Sequence, residues 1–454
     1  MAEDLAQLIP ELILLLTIVF ALVAEMLRLP RIALGVTLFG LLLATGMTLP
    51  MLGADTSVFG GTYRIDTLSI WAKLILLPAT ALSILLARSE LRGSDREGTV
   101  YVLISLVTLG SLILSGTGDT MLLVLGILLT SLGSFALVAY PRNDSATEAA
   151  MKFFVFASVT SAIMIFGLSY WFGASGSTLL SELSTLDTTP VIAAIGLVAV
   201  IVGLGYKAAL VPFHFWAPDA YEGAPLSIAA YMSVVTKIGA LFALTQVVRD
   251  LPVSTGWPVI IAVIAVLTMT YGYLAALVQT NVVRLLAYSS VAQAGYFLLG
   301  IVAVGASPFA IKSLIVFAAA YAAMNIGAFA VVMRTGRTLD AFVGIGRRKV
   351  AMGVAMVIFL LSLTGIPPLA GFVGKFLLFS ATIDAGFTWL AVVAILNSVL
   401  SLGVYLRVLV PMYKQGGEVV EESGSGGMGL VVVVWVVAVV VTGGVGGGAR
   451  GGLG

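Results

Sequence analysis

The sequence predicts an all-α polytopic membrane protein of about 14 transmembrane helices, with two inverted five-helix repeats and discontinuous helices seven and twelve. Three observations predict it. Apolar stretches long enough to cross hydrocarbon recur along all 454 residues, in a composition 60% hydrophobic and only 10% charged. Basic residues alternate between high and low density from one inter-helix segment to the next. Helix-breaking motifs interrupt two of the apolar stretches, at Val211-Pro212-Phe213-His214-Phe215-Trp216 and at Gly365-Ile366-Pro367-Pro368-Leu369-Ala370-Gly371.

The stretches centre on residues 8–26, 32–51, 67–87, 99–115, 119–140, 149–172, 190–211, 225–248, 257–279, 284–304, 308–333, 350–383, 387–411 and 428–444. The first lacks a basic leader and reads as a retained helix, not a cleaved signal peptide. Segments after odd-numbered helices hold Arg28, Arg31, Arg88, Arg92, Arg96, Arg142, Arg284, Arg334, Arg337, Arg347, Arg348, Lys349, Arg407 and Lys414. Those after even-numbered helices hold Arg64, Arg249 and, in the tail, Arg450. The positive-inside rule then places the odd segments in the cytoplasm and both termini on the periplasmic, outer side of a bacterial inner membrane. The breaks fall five helices apart, in helices seven and twelve. Paired discontinuous helices point to an internal repeat, and an odd spacing makes the second copy inverted. Residues 1–422 are expected to form one membrane domain of thirteen helices, with repeats over 99–248 and 257–411. Residues 423–454 supply the last helix and a Gly-rich tail.

Three lysines lie inside these spans: Lys207, Lys237 and Lys375. An ammonium at the bilayer centre costs at least ~2.5–3.5 kcal/mol, so it faces protein or water and marks an ion path. A helix broken at membrane depth likewise needs protein or a water-filled cavity to satisfy its freed backbone groups. Lys207 just precedes the first break. A snorkelling lysine would be followed by an interfacial flank, but a proline and a polar motif follow instead. Its burial makes proton exchange near physiological pH feasible. Lys237 sits near the middle of helix eight, with Ser233 on its helical face and Thr236 beside it. Lys375 follows the second break, which suggests the second-repeat counterpart of Lys207. His214, with an unperturbed pKa of ~6.5, is either a relay between Lys207 and Lys237 or a cap on carbonyls freed at the break. Lys207, Lys237, Lys375 and His214 are therefore the candidates for proton translocation. Lys312 reads as an interface anchor, and Glu11 and Glu25 as structural or subunit-contact groups. Lys73 and Lys152 fit either role.

With no cysteine, disulfides, iron–sulfur clusters and thiolate metal sites are excluded. One histidine builds neither a haem pair nor a zinc site, and Gly-rich nucleotide motifs are absent in any strand–helix context. No cofactor or metal is expected in this chain, and no nucleic-acid partner.

The run from Phe213 to Pro225, Phe-His-Phe-Trp-Ala-Pro-Asp-Ala-Tyr-Glu-Gly-Ala-Pro, resembles the signature of the antiporter-like subunits of respiratory complex I. Its Tyr221-Glu222-Gly223-Ala224-Pro225 ending resembles the N-type branch, the counterpart of the mitochondrial second ND subunit. Three further stretches carry the resemblance: Arg284 to Tyr296, Gly365 to Lys375, and Glu148-Ala149-Ala150-Met151-Lys152-Phe153-Phe154. It extends over about residues 8–414, with the motifs in the family's order. The resemblance implies a fourteen-helix membrane-arm subunit of a proton-translocating NADH:quinone oxidoreductase. Lys207, Lys237 and Lys375 would form a hydrated axis of protonatable groups, with His214 between the first two. NADH, FMN, iron–sulfur clusters and quinone would belong to partner subunits. The neighbours implied are the antiporter-like M subunit, small subunits such as K, and the lipid bilayer. One departure stands out. The family's helix-five glutamate, partner of the helix-seven lysine, falls here on Leu128, and no acid occurs between Thr120 and Arg142. Asp119 lies nine residues earlier, ~13 Å along a helix, too far to replace it. Two other readings follow: an antiporter-type subunit of a sodium/proton antiporter or membrane-bound hydrogenase, and a structural complex I subunit that has lost pumping.

Overall fold

The computed structural model describes residues 2–416 together with Val432, Val436 and Val439. Thirteen spans occur among the described residues. We label their helices α1 (Ile9–Met26), α2 (Pro30–Thr48), α3 (Thr67–Leu91), α4 (Glu97–Ser115), α5 (Thr120–Val138), α6 (Asp144–Ser175), α7 (Pro190–Ala208) and α8 (Trp216–Gly223). There follow α9 (Leu226–Asp250), α10 (Trp257–Leu277), α11 (Val282–Val302), α12 (Ala310–Thr335), α13 (Val350–Thr364), α14 (Ala370–Asp384) and α15 (Thr388–Met412). Twelve of these are long and apolar enough to cross a membrane. Span seven is α7 plus the short α8, and span twelve is the pair α13 and α14. The protein is a multi-pass membrane protein with both expected discontinuities. The expected fourteenth span over 428–444 and the Gly-rich tail lie outside the described residues, apart from the three helical valines.

The helix ends follow from local chemistry. Asp66 caps α3 by accepting from the Ser69 amide at 2.9 Å, while Ser69 Oγ accepts from the Asp66 amide at 3.0 Å. Asn143 and Asn281 cap α6 and α11 through their side-chain oxygens. Helix α9 follows Pro225, whose side chain offers no cap. The Glu90 carboxylate, from the far end of α3, does this instead: its two oxygens accept the amides of Leu226 and Ser227, each at 2.8 Å. At the other end of α9, Gln246 donates to Asp66 at 3.1 Å and Arg249 forms an ion pair with Asp66. Burial alone would push the Asp66 carboxyl up, yet the Ser69 amide and the Arg249 guanidinium hold it below its ordinary range.

Helix α9 is the centre of the molecule, enclosed along its whole apolar length. Helices α10 and α11 cross with their backbones in contact. A Cβ at Gly272 would stand 2.6 Å from the Ala292 amide nitrogen, so only glycine permits this approach. The peripheral helices α1, α6 and α15 instead expose Leu16, Phe20, Phe166, Phe172, Leu396 and Val399. An apolar exterior around a polar-lined centre suits a body surrounded by lipid and by other apolar helices. A two-stranded hairpin, β1 (Thr56–Val58) and β2 (Tyr63–Ile65), joins α2 to α3 with Val58 opposite Tyr63.

Candidate proton-translocation site

All four candidates are buried: Lys207 and Lys237 are 1% exposed, Lys375 2% and His214 3%. At the first break α7 stops because Ala209 takes a left-handed conformation (φ 58°), which costs a residue with a Cβ about 1 kcal/mol or more. The Leu210 amide then donates to Gly205 O at 2.7 Å, and the Trp216 indole donates to Tyr206 O at 2.7 Å. Aromatic stacking fixes the turn, with Phe153 and Trp216 rings 4.4 Å apart. Lys207 points away from these carbonyls. Its ammonium donates to Ser131 Oγ of α5 at 3.3 Å and lies 5.5 Å from the Phe153 ring centre.

Lys237, on α9, donates to Ser290 Oγ of α11 at 2.6 Å. Tyr321 of α12 donates its hydrogen to Ser233 O at 2.8 Å, so the 2.8 Å contact between Ser290 and Tyr321 carries the serine hydrogen. The chain of donation is lysine, serine, tyrosine, backbone carbonyl. Ser233, singled out for sharing the face of Lys237, joins through that carbonyl and through Asn325, whose amide donates to its hydroxyl at 2.5 Å. The Tyr221 ring centre lies 5.7 Å from the Lys237 ammonium.

Lys375 repeats the pattern. Its ammonium contacts Ser398 Oγ at 3.4 Å, Ser398 lies 2.8 Å from the Tyr296 hydroxyl, and Tyr296 donates to Ala394 O at 3.0 Å. The Tyr296 ring centre is 4.0 Å from the ammonium, within cation–π range. Lys375 also donates to Thr364 O at 3.1 Å. Its stem passes over Gly365, where a Cβ would meet Lys375 Cδ at 3.0 Å. Gly365 has φ 94°, which glycine adopts freely.

Helix α11 joins the two lysine sites. Ser290, Gln293 and Tyr296 recur every three residues along one face. Between the lysine sites the Gln293 amide nitrogen lies 3.0–3.3 Å from Tyr273 OH, Leu363 O and Tyr405 OH, three acceptors for its two hydrogens, and Tyr405 meets Ser289 at 2.6 Å. Sequence reasoning missed these serines, tyrosines and Gln293 as partners. For Gln293 and Tyr296 alone, a polar residue and a tyrosine three apart inside the stretch from Arg284 to Tyr296 were an available signal. His214 is not hydrogen-bonded to either lysine. Its ring packs 4.6 Å from those of Phe215 and Tyr271, and among the described residues its Nδ1 has no partner.

The place of the expected carboxylate is also different. Leu128 is 44% exposed on the outside of α5, and the residue that meets Lys207 is Ser131, three positions on. Asp119 caps α5, accepting from the Met121 amide at 2.6 Å and from Thr178 at 2.6 Å. Lys152 pairs with Glu148 at 2.7 Å and Asp219 at 3.1 Å near the surface.

A serine hydroxyl facing each lysine has a definite chemical use. It accepts from an ammonium and, by turning its one hydrogen away from the tyrosine at Ser290 and Ser398, donates to a neutral amine, whereas an ionised carboxylate only accepts. Each site can therefore hold its lysine in either protonation state. Such a chain of amphoteric contacts inside a polytopic helical body has the chemistry that an ion-translocating class of membrane protein requires.

Residues 117–401 match the family described as NADH:quinone oxidoreductase/Mrp antiporter, TM. The chain belongs to this family. It is similar to NADH-quinone oxidoreductase subunit N of Desulfovibrio desulfuricans, 39% identical over 91% of this chain and 88% of that protein. It is also similar to F(420)H(2) dehydrogenase subunit N of Methanosarcina mazei, 38% identical over 85% of this chain and 81% of the relative. A chain of respiratory complex I from Thermus thermophilus, solved with bound aureothin, superposes with a TM-score of 0.85 at 30% identity, covering 96% of this chain and 97% of that one.

Proposed function

We propose that this chain is the N-type antiporter-like subunit in the membrane arm of a proton-translocating NADH:quinone oxidoreductase. It couples quinone reduction elsewhere in the complex to proton movement along Lys207, Lys237 and Lys375, with His214 as a side station against Tyr271. The observation that carries this reading is the serine hydroxyl opposite each buried lysine, which serves the charged and the neutral amine alike. The relatives named as subunit N support the assignment to the complex. NADH, FMN, iron–sulfur clusters and quinone belong to partner subunits, and the neighbours are the M-type antiporter-like subunit and small subunits such as K. The chain lies in a bacterial inner membrane with both termini outside, as the basic residues of the odd loops suggest. The similar geometry of the two breaks supports an inverted pair of five-helix repeats over 99–248 and 257–411.

The test uses intact complex in proteoliposomes. Lys237→Ala and Lys375→Ala should each lower protons pumped per quinone reduced while the complex still assembles. Unchanged pumping in both would leave a structural subunit as the reading.

A further inference from the structure

A fourth buried lysine lies outside the chain of sites described above. Lys73, on α3, is fully buried, and its ammonium is 2.7 Å from Glu11 Oε1 on α1. Tyr63, from the hairpin, donates to the same oxygen at 2.6 Å, and its ring centre is 5.6 Å from the ammonium. Burial pushes the Tyr63 phenol well above its ordinary range and the Glu11 charge adds to this, so the hydroxyl stays a donor. The seat is built for that ring: a Cβ at Gly116 would stand 2.5 Å from it. The titratable groups gathered here are Glu11 of α1, Lys73 of α3, Asp66 at the α3 cap and Tyr63. Helix α4 adds only the Leu112 carbonyl, 3.4 Å from the Tyr63 hydroxyl.

Structural need explains this ion pair poorly. Removing two charges from water opposes their attraction, and apolar replacements of buried pairs are often neutral or stabilising. The site is also graded. The Glu11 side chain keeps 10% exposure and Lys73 none, while the hairpin residues Thr56 and Ser57 beyond them are exposed. Two turns further along α3, Thr80 meets Thr108 at 2.8 Å, and Thr108 meets Tyr231 of α9 at 2.8 Å. Among the described residues neither Glu11 Oε2 nor the Lys73 ammonium has a hydrogen-bond partner, so their contact is a close ion pair and not a formed hydrogen bond.

We propose that Glu11 and Lys73 form a proton-exchange site, separate from the three-lysine axis, between that hydroxyl row and the aqueous side faced by the hairpin. A proton passing from the Lys73 ammonium to the Glu11 carboxylate leaves an amine and a carboxylic acid. No net charge enters the hydrocarbon. The acid passes its proton outward on the hairpin side, where the Glu11 side chain keeps its small exposure, and the amine takes another from within. This proposal rests on the reading of the chain as part of a proton pump.

The experiment compares native complex, Glu11→Gln/Lys73→Met and Lys237→Ala in proteoliposomes, reading quinone reduction, protons pumped per electron pair and passive proton leak. The double variant leaves no unpaired charge. It should keep quinone reduction and a tight membrane but lose part of the proton-to-electron ratio. An unchanged ratio there beside a lowered one in Lys237→Ala overturns this site alone. An unchanged ratio in both overturns the pumping role too. Should the double variant fail to assemble, Tyr63→Phe decides, since it keeps the ion pair and removes only the hydroxyl: a lowered ratio supports the site and an unchanged one overturns it.

Discussion

In span seven the lysine comes before the break, and in span twelve it comes after. Both breaks place a left-handed residue three positions before a cis proline, Ala209 before Pro212 and Gly365 before Pro368. A shift of 156 residues superposes them (365 − 209 = 368 − 212). That shift carries Lys207 onto Leu363 and Lys375 onto Asp219, so the two lysines are not positional counterparts. The difference shows in what each ammonium touches. Lys207 leaves the carbonyls of its break to backbone amides and the Trp216 indole, and turns to Ser131. Lys375 reaches back across its break to Thr364 O while also meeting Ser398 and the Tyr296 ring. Lys207 meets a serine hydroxyl and the face of the Phe153 ring and leaves its break alone. Lys375 also holds the helix break together.

The comparison breaks most readily at the lysines. Lys375→Met should abolish most pumping and also destabilise the subunit by about 1–3 kcal/mol, because the buried Thr364 carbonyl loses its donor. Lys207→Met should impair pumping with a smaller loss of stability. Equal thermal destabilisation of the two purified variants would contradict the assignment of a second role to Lys375.

A smaller effect is expected at Tyr296. Tyr296→Leu removes the ring, and a desolvated cation–π contact of about 2 kcal/mol goes with it. Tyr296→Phe keeps the ring and should retain more pumping than the leucine variant. The reverse order would mean that the hydroxyl toward Ser398, not the ring, matters to Lys375.

The smallest effect concerns α5. A double-mutant cycle on pumping rate between Ser131→Ala and Lys207→Met should give a coupling of about 1.5 kcal/mol, the scale of a hydrogen bond to a charged group. The same cycle with Leu128→Glu should give less than about 0.5 kcal/mol, because position 128 faces outward. Stronger coupling at 128 would move the partner of Lys207 back to the place the family resemblance marks.

Much of this architecture was legible in the sequence. Continuous apolar stretches located the thirteen described spans, and three charges in hydrocarbon were too costly to be incidental. Pro212, Pro367 and Pro368 marked the breaks because proline has no amide hydrogen for the helix ladder, and the polar or glycine-rich motifs around them set them apart from Pro78 and Pro411, which lie inside α3 and α15. The partners were not legible. A serine in an apolar helix usually bonds its own backbone, as Ser134 does to Thr130 O, so Ser131, Ser290 and Ser398 carry no distinguishing local mark. Whether Leu128 or Ser131 faces Lys207 depends on the rotation of α5, which packing against neighbours sets. The cap of α9 by Glu90, 136 residues away, likewise had no local signal.

That cap has a mechanical consequence. Glu90 grips the first turn of α9 and Asp66 its last turn, and both carboxylates belong to the single helix α3. The helix carrying Lys237 is thus a beam pinned at both ends to a strut of nearly its own length. A beam so held resists pistoning and swinging, and on the proposed route past Lys237 this leaves the moving to its flexible four-carbon stem and to the hydroxyls around it.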